Sequence, residues 1–574
     1  MESLFSILIG STNNNYQLGF LLVRSTIGSF FVFFLETAKT MKISSYFIVT
    51  LSAILLSLNF VRANTINATP SNYTTYLGSL MPGDTLKLAA GTYTGNLTLN
   101  NRNGTATQPI VIMGVGNSTN FQGQSCCNTV SITKCSYLVI RQLQLDGMGE
   151  AIDAVKAEGT IGNKAHHITI EYLNIINYGS DQQNVGISTK CPAWDWIIRK
   201  NKIIGAGTGL YLGNSNGDDP FVNGVIEYNY IANTVGYNME IKHQLNGVRD
   251  TFPETQVNGK TTIRYNVFTK DNTSSTGGNA RPNVLVGGFP SSGWGAQDYY
   301  ELYGNFFYNN PVEALFQGTG NVMMYENIFV NHFDPPGLRA VYFTPHNGVS
   351  PQNIKVFHNT LWAMNSSGGI RLNSPNTSFQ QYCVGNAAFA PTAISGFTNS
   401  TDNVTDVYAN ASTYVLAATT NINTLDLYPK LSQLTGTLTP NTTFNTQTDW
   451  NKDFNNATYN WTYRGAYSGC CTNPGWHLEL DTMTTHIPTG AGFVTGAKKE
   501  VVIYPSPCSD RIYIETSVTE PMYIEIFSIS GQKMLSVKSV GPSTLVDVGN
   551  IPPGVYFVKL SCLGITTVQV LTKM

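Results

Sequence analysis

Charged residues are scarce in this chain. They make up 12% of its 574 residues, and 33 basic side chains are balanced by 35 acidic ones. A net charge of −2 provides no basic surface of the kind that sequence-independent binding of nucleic acid requires. Hydrophobic residues, at 42%, are too frequent for a disordered chain, and the length indicates two or three domains. The 53 Gly and 25 Pro residues favour turns and strands over a helical bundle.

Cysteine is also sparse, and its pattern excludes a small disulfide framework. Nine cysteines occur, an odd number that includes two adjacent pairs. No histidines cluster with them, so a zinc site is not indicated. The sequence predicts occasional disulfides and buried thiols, with the connectivity left open.

Long apolar runs are confined to residues 1–63. From Met41, a Lys, an apolar stretch and Val61-Arg62-Ala63 follow the layout of a secretory signal peptide over 41–63. An apolar patch within residues 1–40 indicates either an upstream membrane helix or, as we favour, a start codon placed too early. No later run approaches the roughly 20 apolar residues that span a bilayer. We therefore expect an exported mature protein without a stable membrane span.

A short strand pattern recurs through the middle of the chain, with apolar residues on both sides of an Asn. The repeated residues are Asn174, Asn201, Asn229, Asn266, Asn305, Asn327, Asn359 and Asn386, with Gln144 in a looser copy. One strand pattern for every 22 to 39 residues, without helical intervals, predicts a β-solenoid. Asn side chains stacked at one turn can hydrogen-bond along the axis, which gives a reason for Asn in coil after coil.

The repeat resembles the right-handed parallel β-helix of the pectate-lyase-like superfamily, and we assign residues 64–470 to this domain. The turns Pro82-Gly83-Asp84 and Gly91-Thr92-Tyr93 are similar to the first coil of exported polysaccharide lyases in that superfamily. The segment 453–469 is similar to the ending of many bacterial members. The resemblance implies an all-β solenoid, and the fold alone does not fix the chemistry.

Residues 501–574, after a linker at 471–500, form a compact series of alternating strands. The Tyr504-Pro505-Ser506-Pro507 start and the Ser530-Gly531-Gln532 turn are similar to the C-terminal sorting domain of the Bacteroidota type IX secretion system. This resemblance implies a small β-sandwich that the secretion machinery recognises. With the signal peptide, it implies a route through the periplasm of a Gram-negative cell to its surface or the medium. A generic β-sandwich appendage is the alternative.

Two long intervals interrupt the repeat and point to a binding face. The intervals Asn229–Asn266 and Asn266–Asn305 span 37 and 39 residues, about ten more than the neighbouring coils at 27 or 28. A solenoid extrudes such extra residues as loops, often on the binding face. The densest polar cluster lies beside them and contains Glu240, Lys242, His243, Arg249, Arg281, Trp294, Tyr299 and Tyr300.

Glu240 and Lys242 are two residues apart on a predicted strand and point to the same, outward side. Elimination of a uronate needs a cation at the sugar carboxylate, a base for the C5 proton and a donor to the leaving oxygen. The cluster resembles alginate and chondroitin lyases with a Lys/Arg pair and calcium, although the Glu–Lys spacing is shorter and their Arg-His-Gly motif is absent. The resemblance implies Lys242 as base, Arg281 as partner of the carboxylate or leaving group, and Glu240 as calcium ligand.

His243 is the second candidate base, and a structural histidine is its alternative because its strand parity is opposite to that of Lys242. Arg249 and the aromatic residues Trp294, Tyr299 and Tyr300 are predicted to bind the substrate. A solvated Lys–Glu pair is the non-functional interpretation of Glu240 and Lys242. The leading prediction is a secreted lyase that acts on an acidic polysaccharide.

Two other functions compete with the lyase. Asp218 and Asp219 offer the paired carboxylates of a glycoside hydrolase, but a Gly-His-Gly partner motif is absent, and the same loop also suits calcium. Trp194 and Trp196 share a strand face and are predicted either to stack on sugars in a non-catalytic surface glycan-binding protein or to pack in the core.

Overall fold

The computed structural model describes residues 63–438, 441–483 and most of 501–573, without 505–507, 517–521, 529–531, 540–542 and 563–564. It also describes an antiparallel pair of strands, Leu21–Ser25 and Gly28–Val32. The predicted signal peptide, up to Arg62, and residues 484–500 of the predicted linker lie outside the described residues. The chain divides into two compact units. The first unit extends to Cys471 and also includes His477–Thr485, and the second contains the C-terminal strands.

The first unit is the predicted parallel β-helix, in which each coil adds a strand to each of three parallel sheets. The 11-stranded first sheet consists of Leu97–Asn100, Val130–Thr133, Val155–Ala157, Val185–Thr189, Thr208–Leu212, Met239–Ile241, Val284–Val286, Phe316–Gly318, Val341–Phe343, Ile370–Leu372 and Ile394–Ser395. Neighbouring strands of a sheet lie about 4.8 Å apart, so each coil advances the solenoid by that distance.

The other two sheets are joined because Ile110–Gln122 and Ser136–Asp146 bend from one to the other. The second sheet further contains Thr65–Ala68, Thr85–Leu88, Ala165–Glu171, Ala193–Trp194, Ile197–Arg199, Phe221–Val222, Val225–Glu227, Lys260–Arg264, Tyr299–Tyr303, Gly320–Tyr325, Pro351–Phe357, Gln381–Val384 and Asn399–Thr401. The third further contains Gly91–Tyr93, Asn174–Ile176, Lys202–Ile204, Tyr230–Ala232, Val267–Thr269, Phe306–Tyr308, Ile328–Asn331, Thr360–Ala363, Ala387–Phe389 and Val404–Asp406.

Helices are few and short within the described residues. They are the α-helix Thr74–Leu77 and the 3-10 helices Pro253–Thr255, Gly277–Asn279, Tyr408–Thr413 and Ile422–Thr424. A strand pair, Val415–Ala417 with Asp426–Pro429, follows the last coil. No helix in the described part of the chain is long and apolar enough to cross a membrane.

The predicted Asn ladder is present and fixes the bend between the second and third sheets. From Asn201 to Asn386, each Asn donates its Nδ2 to the Oδ1 of the next, at 2.9 to 3.0 Å, and Asn403 extends the series. Each backbone N–H donates to the same Oδ1. The ladder side chains from Asn201 to Asn386 are fully buried, so these bonds satisfy polar groups that water cannot reach.

The looser copies depart from this register. Leu173, and not Asn174, donates its N–H to Asn201 Oδ1, at 2.9 Å. Asn174 lies one position further along and donates to Gln144 Oε1 at 3.0 Å. The first coils therefore use a different polar contact at the bend, and the Asn ladder begins at Asn201.

Adjacent cysteines pair with each other, as Cys126–Cys127 and Cys470–Cys471. The thiols Cys135, Cys191, Cys383 and Cys508 are free and buried.

The second unit consists of two antiparallel sheets, as the sequence predicts. Three strands, Val501–Tyr504, Arg511–Thr516 and Ser543–Asp547, form one sheet. Met522–Ser528, Lys533–Ser539, Gly554–Cys562 and Ile565–Lys573 form the other. Ile512 and Ile514 of the first and Ile524 and Val558 of the second belong to one buried cluster, which gives this small unit its own core.

Candidate functional site

The outward face of the 11-stranded sheet carries an ordered row of polar and aromatic side chains. Strand register places Tyr211 beside Glu240 on the next coil, and Ser188 precedes them. The alternate positions, such as Leu210 and Leu212, are fully buried in the solenoid core. Because side chains of a strand alternate between faces, Tyr211 and Glu240 share the outer face with the residue two positions on, Lys242.

A second outward row, one step beyond the strand ends, alternates cations with glycines. Its residues are Lys190, Gly213, Lys242 and Gly287. The backbone ladder continues through these coils, because Lys242 N donates to Leu212 O and Gly287 N to Ile241 O, each at 2.8 Å. Glycine at two of the four positions means that no other side chain of this row lies between the two lysines. A Cβ on Gly213 would lie only 3.2 Å from the Lys242 Cβ.

The two lysines flank one aromatic ring. Lys190 Nζ lies 3.3 Å from the centroid of the Tyr211 ring, and Lys242 Nζ lies 5.5 Å from it. The Tyr211 hydroxyl is 3.0 Å from Ser215 Oγ in the loop that follows. Two amines beside one phenol ring provide a favourable place for negative charge to develop on an oxygen of a bound molecule.

The lysines differ in what holds them. Lys242 donates to Glu240 Oε1 at 2.7 Å, and both side chains of this ion pair are largely buried. Lys190 Nζ has no hydrogen bond or ion pair with any residue that the structure describes. Burial, together with repulsion from Lys156 and Lys242, lowers the pKa of Lys190 to about 8, although Asp153 and Glu240 act against this. Lys190 therefore combines a free amine with a pKa near neutrality, which suits a general base.

His243 lies at the same edge and not in the core. Asn347 Nδ2 is 2.8 Å from His243 Nδ1, and Gly217 packs so closely that a Cβ there would lie 2.6 Å from Nε2. Burial and the nearby Lys242 and His346 lower the pKa of His243. The pKa of His346 is lowered for the same two reasons, burial and Lys242. Both imidazoles are therefore uncharged near neutral pH beside the lysine pair.

Arg281 lies at the other end of the strands. It precedes Val284–Val286, whereas Lys242 follows Met239–Ile241. Its guanidinium lies 5.7 Å from the Tyr237 ring and donates to Ala280 O at 2.6 Å. Its backbone carbonyl accepts a 2.7 Å hydrogen bond from the fully buried ammonium of Lys270. No contact between Arg281 and Lys242 is present among the described residues.

Arg249 and Tyr300 are corrections to the predicted substrate-binding set, because neither side chain reaches the surface. Arg249 is fully buried, and its guanidinium donates to Asp298 Oδ2 at 2.5 Å and to backbone carbonyls. It closes the long loop that follows Lys242. Tyr300 is 1% exposed and stacks on Phe289 at 4.7 Å.

Trp294 and Tyr299 are accessible but lie apart. Trp294 is 43% exposed at the tip of the loop after Val284–Val286. Tyr299 begins a strand of the second sheet and lines a cavity of about 320 Å³ with Lys355 and Phe379. Tyr299 therefore belongs to a different face of the solenoid from Lys242.

The predicted metal ligands do not form a cage. Glu240 gives its Oε1 to the Lys242 ammonium. Asp218 and Asp219 both accept a hydrogen bond from Asn214 Nδ2, at 2.7 Å for Asp219. Within the described residues, no group of three or more His, Cys, Asp or Glu could hold a metal ion. These side chains alone do not fit a calcium site, and calcium remains a prediction.

The positions of the side chains predicted for a glycoside hydrolase and for a glycan-binding protein weaken the evidence for both functions. Asp218 and Asp219 converge on one amide nitrogen and do not face each other across a space for a sugar, as a hydrolase requires. Trp194 and Trp196 are 1% and 0% exposed. Trp194 stacks on His166 at 4.4 Å, so the pair packs in the protein and offers no platform to a glycan.

Comparison with known proteins identifies the C-terminal unit. Residues 502–573 match the family model described as a secretion system C-terminal sorting domain. This is the type IX sorting domain that the sequence predicts, so the chain carries a signal for secretion. No curated protein matches the sequence.

Solved structures that resemble the chain share its parallel β-helix. An alginate lyase from Paenibacillus sp. str. FPU-7 has 20% identity and a TM-score of 0.35, over 60% of this chain and 99% of its own. A PL6 family polysaccharide lyase from Pseudopedobacter saltans has 12% identity and a TM-score of 0.33, over 64% and 97%. A mannuronan C-5 epimerase module from Azotobacter vinelandii has 14% identity and a TM-score of 0.30, over 57% of this chain and 88% of its own. The likeness concerns the fold alone.

Proposed function

We propose that this protein is a secreted polysaccharide lyase that cleaves a uronate-containing polysaccharide by β-elimination. The observation that carries the proposal is the Lys190–Tyr211–Lys242 arrangement on the outer face of the first sheet. It brings together two amines and a phenol, which are the groups that elimination from a uronate requires. Proteins of similar fold include enzymes named as alginate lyases, whose substrate is a polyuronate.

Lys242 serves in this proposal as the cation that neutralises the sugar carboxylate. Its contact with Glu240 uses one of its three N–H donors and fixes the ammonium, so two donors remain for the substrate. Neutralising the carboxylate acidifies the neighbouring C5 proton. The sequence prediction gave Lys242 the role of base; the ion pair with Glu240 is the reason for assigning it the charged role instead.

Lys190 removes the C5 proton, and Tyr211 donates a proton to the leaving oxygen. The electron pair of the C5–H bond becomes the C4–C5 double bond, the C4–O bond breaks, and the departing oxygen takes the phenolic proton. The tyrosinate that remains lies beside two ammonium groups, Lys242 and the newly protonated Lys190, and regains its proton from Lys190. Charge and protons balance, and no water is consumed. His243 and Arg281 are proposed to contact sugars on either side of this centre.

The test is ultraviolet absorbance, because elimination creates a conjugated double bond and hydrolysis does not. We expect the mature protein to increase the absorbance of alginate, pectate or chondroitin solutions, and Tyr211→Phe to abolish the increase. Parallel reactions with calcium and with a chelator show whether the predicted metal contributes. Binding to these polymers without any absorbance change would contradict the proposal and favour a non-catalytic glycan-binding protein.

We further propose that the protein leaves the cell through the periplasm. The sorting domain at 502–573 and the signal peptide predicted at 41–63 together support export across both membranes of a Bacteroidota-type cell. An extracellular lyase would act on polymers too large to enter the periplasm. The partners of the chain are then the type IX secretion machinery and an acidic polysaccharide.

A further inference from the structure

Two arginines and a tyrosine lie on the same outer face, several coils beyond the lysine pair. Strand register pairs Tyr342 directly with Arg371 of the next strand. The guanidinium of Arg339 lies 5.5 Å from the Tyr342 ring, and its Cγ would be 3.7 Å from a Cβ added to Gly368. We call Arg339, Tyr342 and Arg371 the arginine cluster.

The arginine cluster has positive charge without an acidic partner. Neither arginine forms an ion pair with any residue that the structure describes. Arg339 makes one hydrogen bond, to Gly337 O at 2.9 Å, and Arg371 makes none among these residues. The Nε atoms of both are buried without a hydrogen-bond acceptor. Elsewhere on the first unit, by contrast, Arg141, Arg199 and Arg264 are paired with Glu171 or Glu227.

Tyr342 and Arg371 of the arginine cluster lie in the same outward row as Tyr211 and Glu240. The row that contains Tyr211 and Glu240 passes through Leu285 and Gln317 to Tyr342 and Arg371. Arg371 is four coils from Glu240, or about 19 Å at about 4.8 Å per coil. One sugar of an extended polyuronate chain is about as long as the advance of one coil. A chain lying along the solenoid axis therefore presents about one carboxylate for each coil.

We propose that the arginine cluster is a distal subsite for the carboxylate of a polyuronate chain, about four sugars from the bond that is cleaved. A guanidinium binds a carboxylate through two parallel hydrogen bonds, and the Tyr342 ring offers a surface for the sugar. The inference rests on the proposed function, since it assumes that the chain lies along the row of Tyr211 and Glu240. It gives the protein a preference for polymers over short oligomers.

The first test compares polymer with oligomer in the intact mature protein. We expect Arg371→Ala to raise KM for alginate, pectate or chondroitin polymer by about tenfold, the size of one charge-assisted hydrogen bond. We expect kcat to stay unchanged, and cleavage of trisaccharides, which are too short to reach Arg371, to stay unchanged as well. Arg371→Lys should recover part of the loss. The matched control is Lys87→Ala, which removes one charge from an exposed position on the second sheet.

A polymer KM that rises equally in Lys87→Ala, or not at all in Arg371→Ala, would overturn the subsite. Equal losses for trisaccharide and polymer would also overturn it, because they would reflect damage to the centre itself. Gel retardation of the protein by the same polymers separates this proposal from the catalytic one. If no polymer is cleaved, retardation that weakens in Arg339→Ala and Arg371→Ala still supports the subsite, and unaltered retardation contradicts it.

Discussion

Lys190→Ala is expected to lower kcat for polyuronate cleavage by about a hundredfold or more, the range for loss of a positioned proton-transfer group. Lys242→Ala is expected to cause a loss of similar size, because the carboxylate is then no longer neutralised as the proton leaves. The measurement is the initial rate of the absorbance increase under saturating polymer. Lys87→Ala is the control, since it removes one lysine from an exposed position on the second sheet, away from Lys190 and Lys242.

The pH dependence distinguishes the two lysines. Lys190 must be neutral to accept a proton, and burial lowers its pKa to about 8. The neutral fraction increases with pH, so kcat/KM is expected to rise as the pH increases through about 8. Lys190→Arg stays protonated at every accessible pH and should be inactive throughout. A wild-type profile that is flat across this range, or an active Lys190→Arg variant, would contradict the assignment.

Asn305→Ala is expected to lower the free energy of unfolding by about 4 kcal/mol, because several buried polar groups lose their partners. Asn305 Nδ2 donates to Asn327 Oδ1 at 2.9 Å and to Ile263 O at 2.8 Å, and its Oδ1 accepts from Asn266 N and Nδ2, both at 3.0 Å. The measurement is the urea midpoint of tryptophan fluorescence in the full chain.

Asn403→Ala is the matched control for the ladder. Asn403 ends the series, is partly exposed, and accepts only from Asn386. Water can replace the lost partner there, so the expected destabilisation is about 1 kcal/mol. Equal shifts of the urea midpoint in the two variants would mean that the buried ladder does not stabilise the solenoid.

The fold was predictable because it repeats. A single Asn position, with the strands around it, predicts the coils, the ladder and a β-solenoid, and the structure shows that this solenoid has three sheets. The first coils depart from the pattern because Leu173 occupies the ladder position there and donates its N–H to Asn201 Oδ1. Asn174 lies one residue further along the chain. The sorting domain was predictable from its turns, and 502–573 matches its family model.

The site was predictable only in part, since register along one strand is directly visible in the sequence, whereas register between coils has to be taken from the interval of the repeat. Glu240 and Lys242 are paired on one face, as alternation requires. Tyr211 and Lys190 were missed because each belongs to a preceding coil. Subtracting the 28-residue interval between Asn201 and Asn229 from Glu240 gives a position within one residue of Tyr211, so the repeat contained the necessary signal.

The spacing of residues in the sequence also could not predict which side chains are buried. Trp194 and Trp196 have the spacing of two residues on one strand face, but Asp195 between them has a φ of 55° and turns the chain. Trp196 then enters the core, where Nε1 donates to Ala165 O at 2.9 Å, and Trp194 packs beneath His166. Arg249 is hidden for a different reason, because Asp298, 49 positions away, neutralises it.

The mass of the products tests the central claim most directly. The mature protein is incubated with a defined oligouronate, and the masses of the two fragments are added. Elimination predicts that they sum to the mass of the substrate, with the non-reducing end of one fragment unsaturated. Fragments that together contain one additional water would show hydrolysis and contradict the account, as would an oligouronate that is bound but recovered whole.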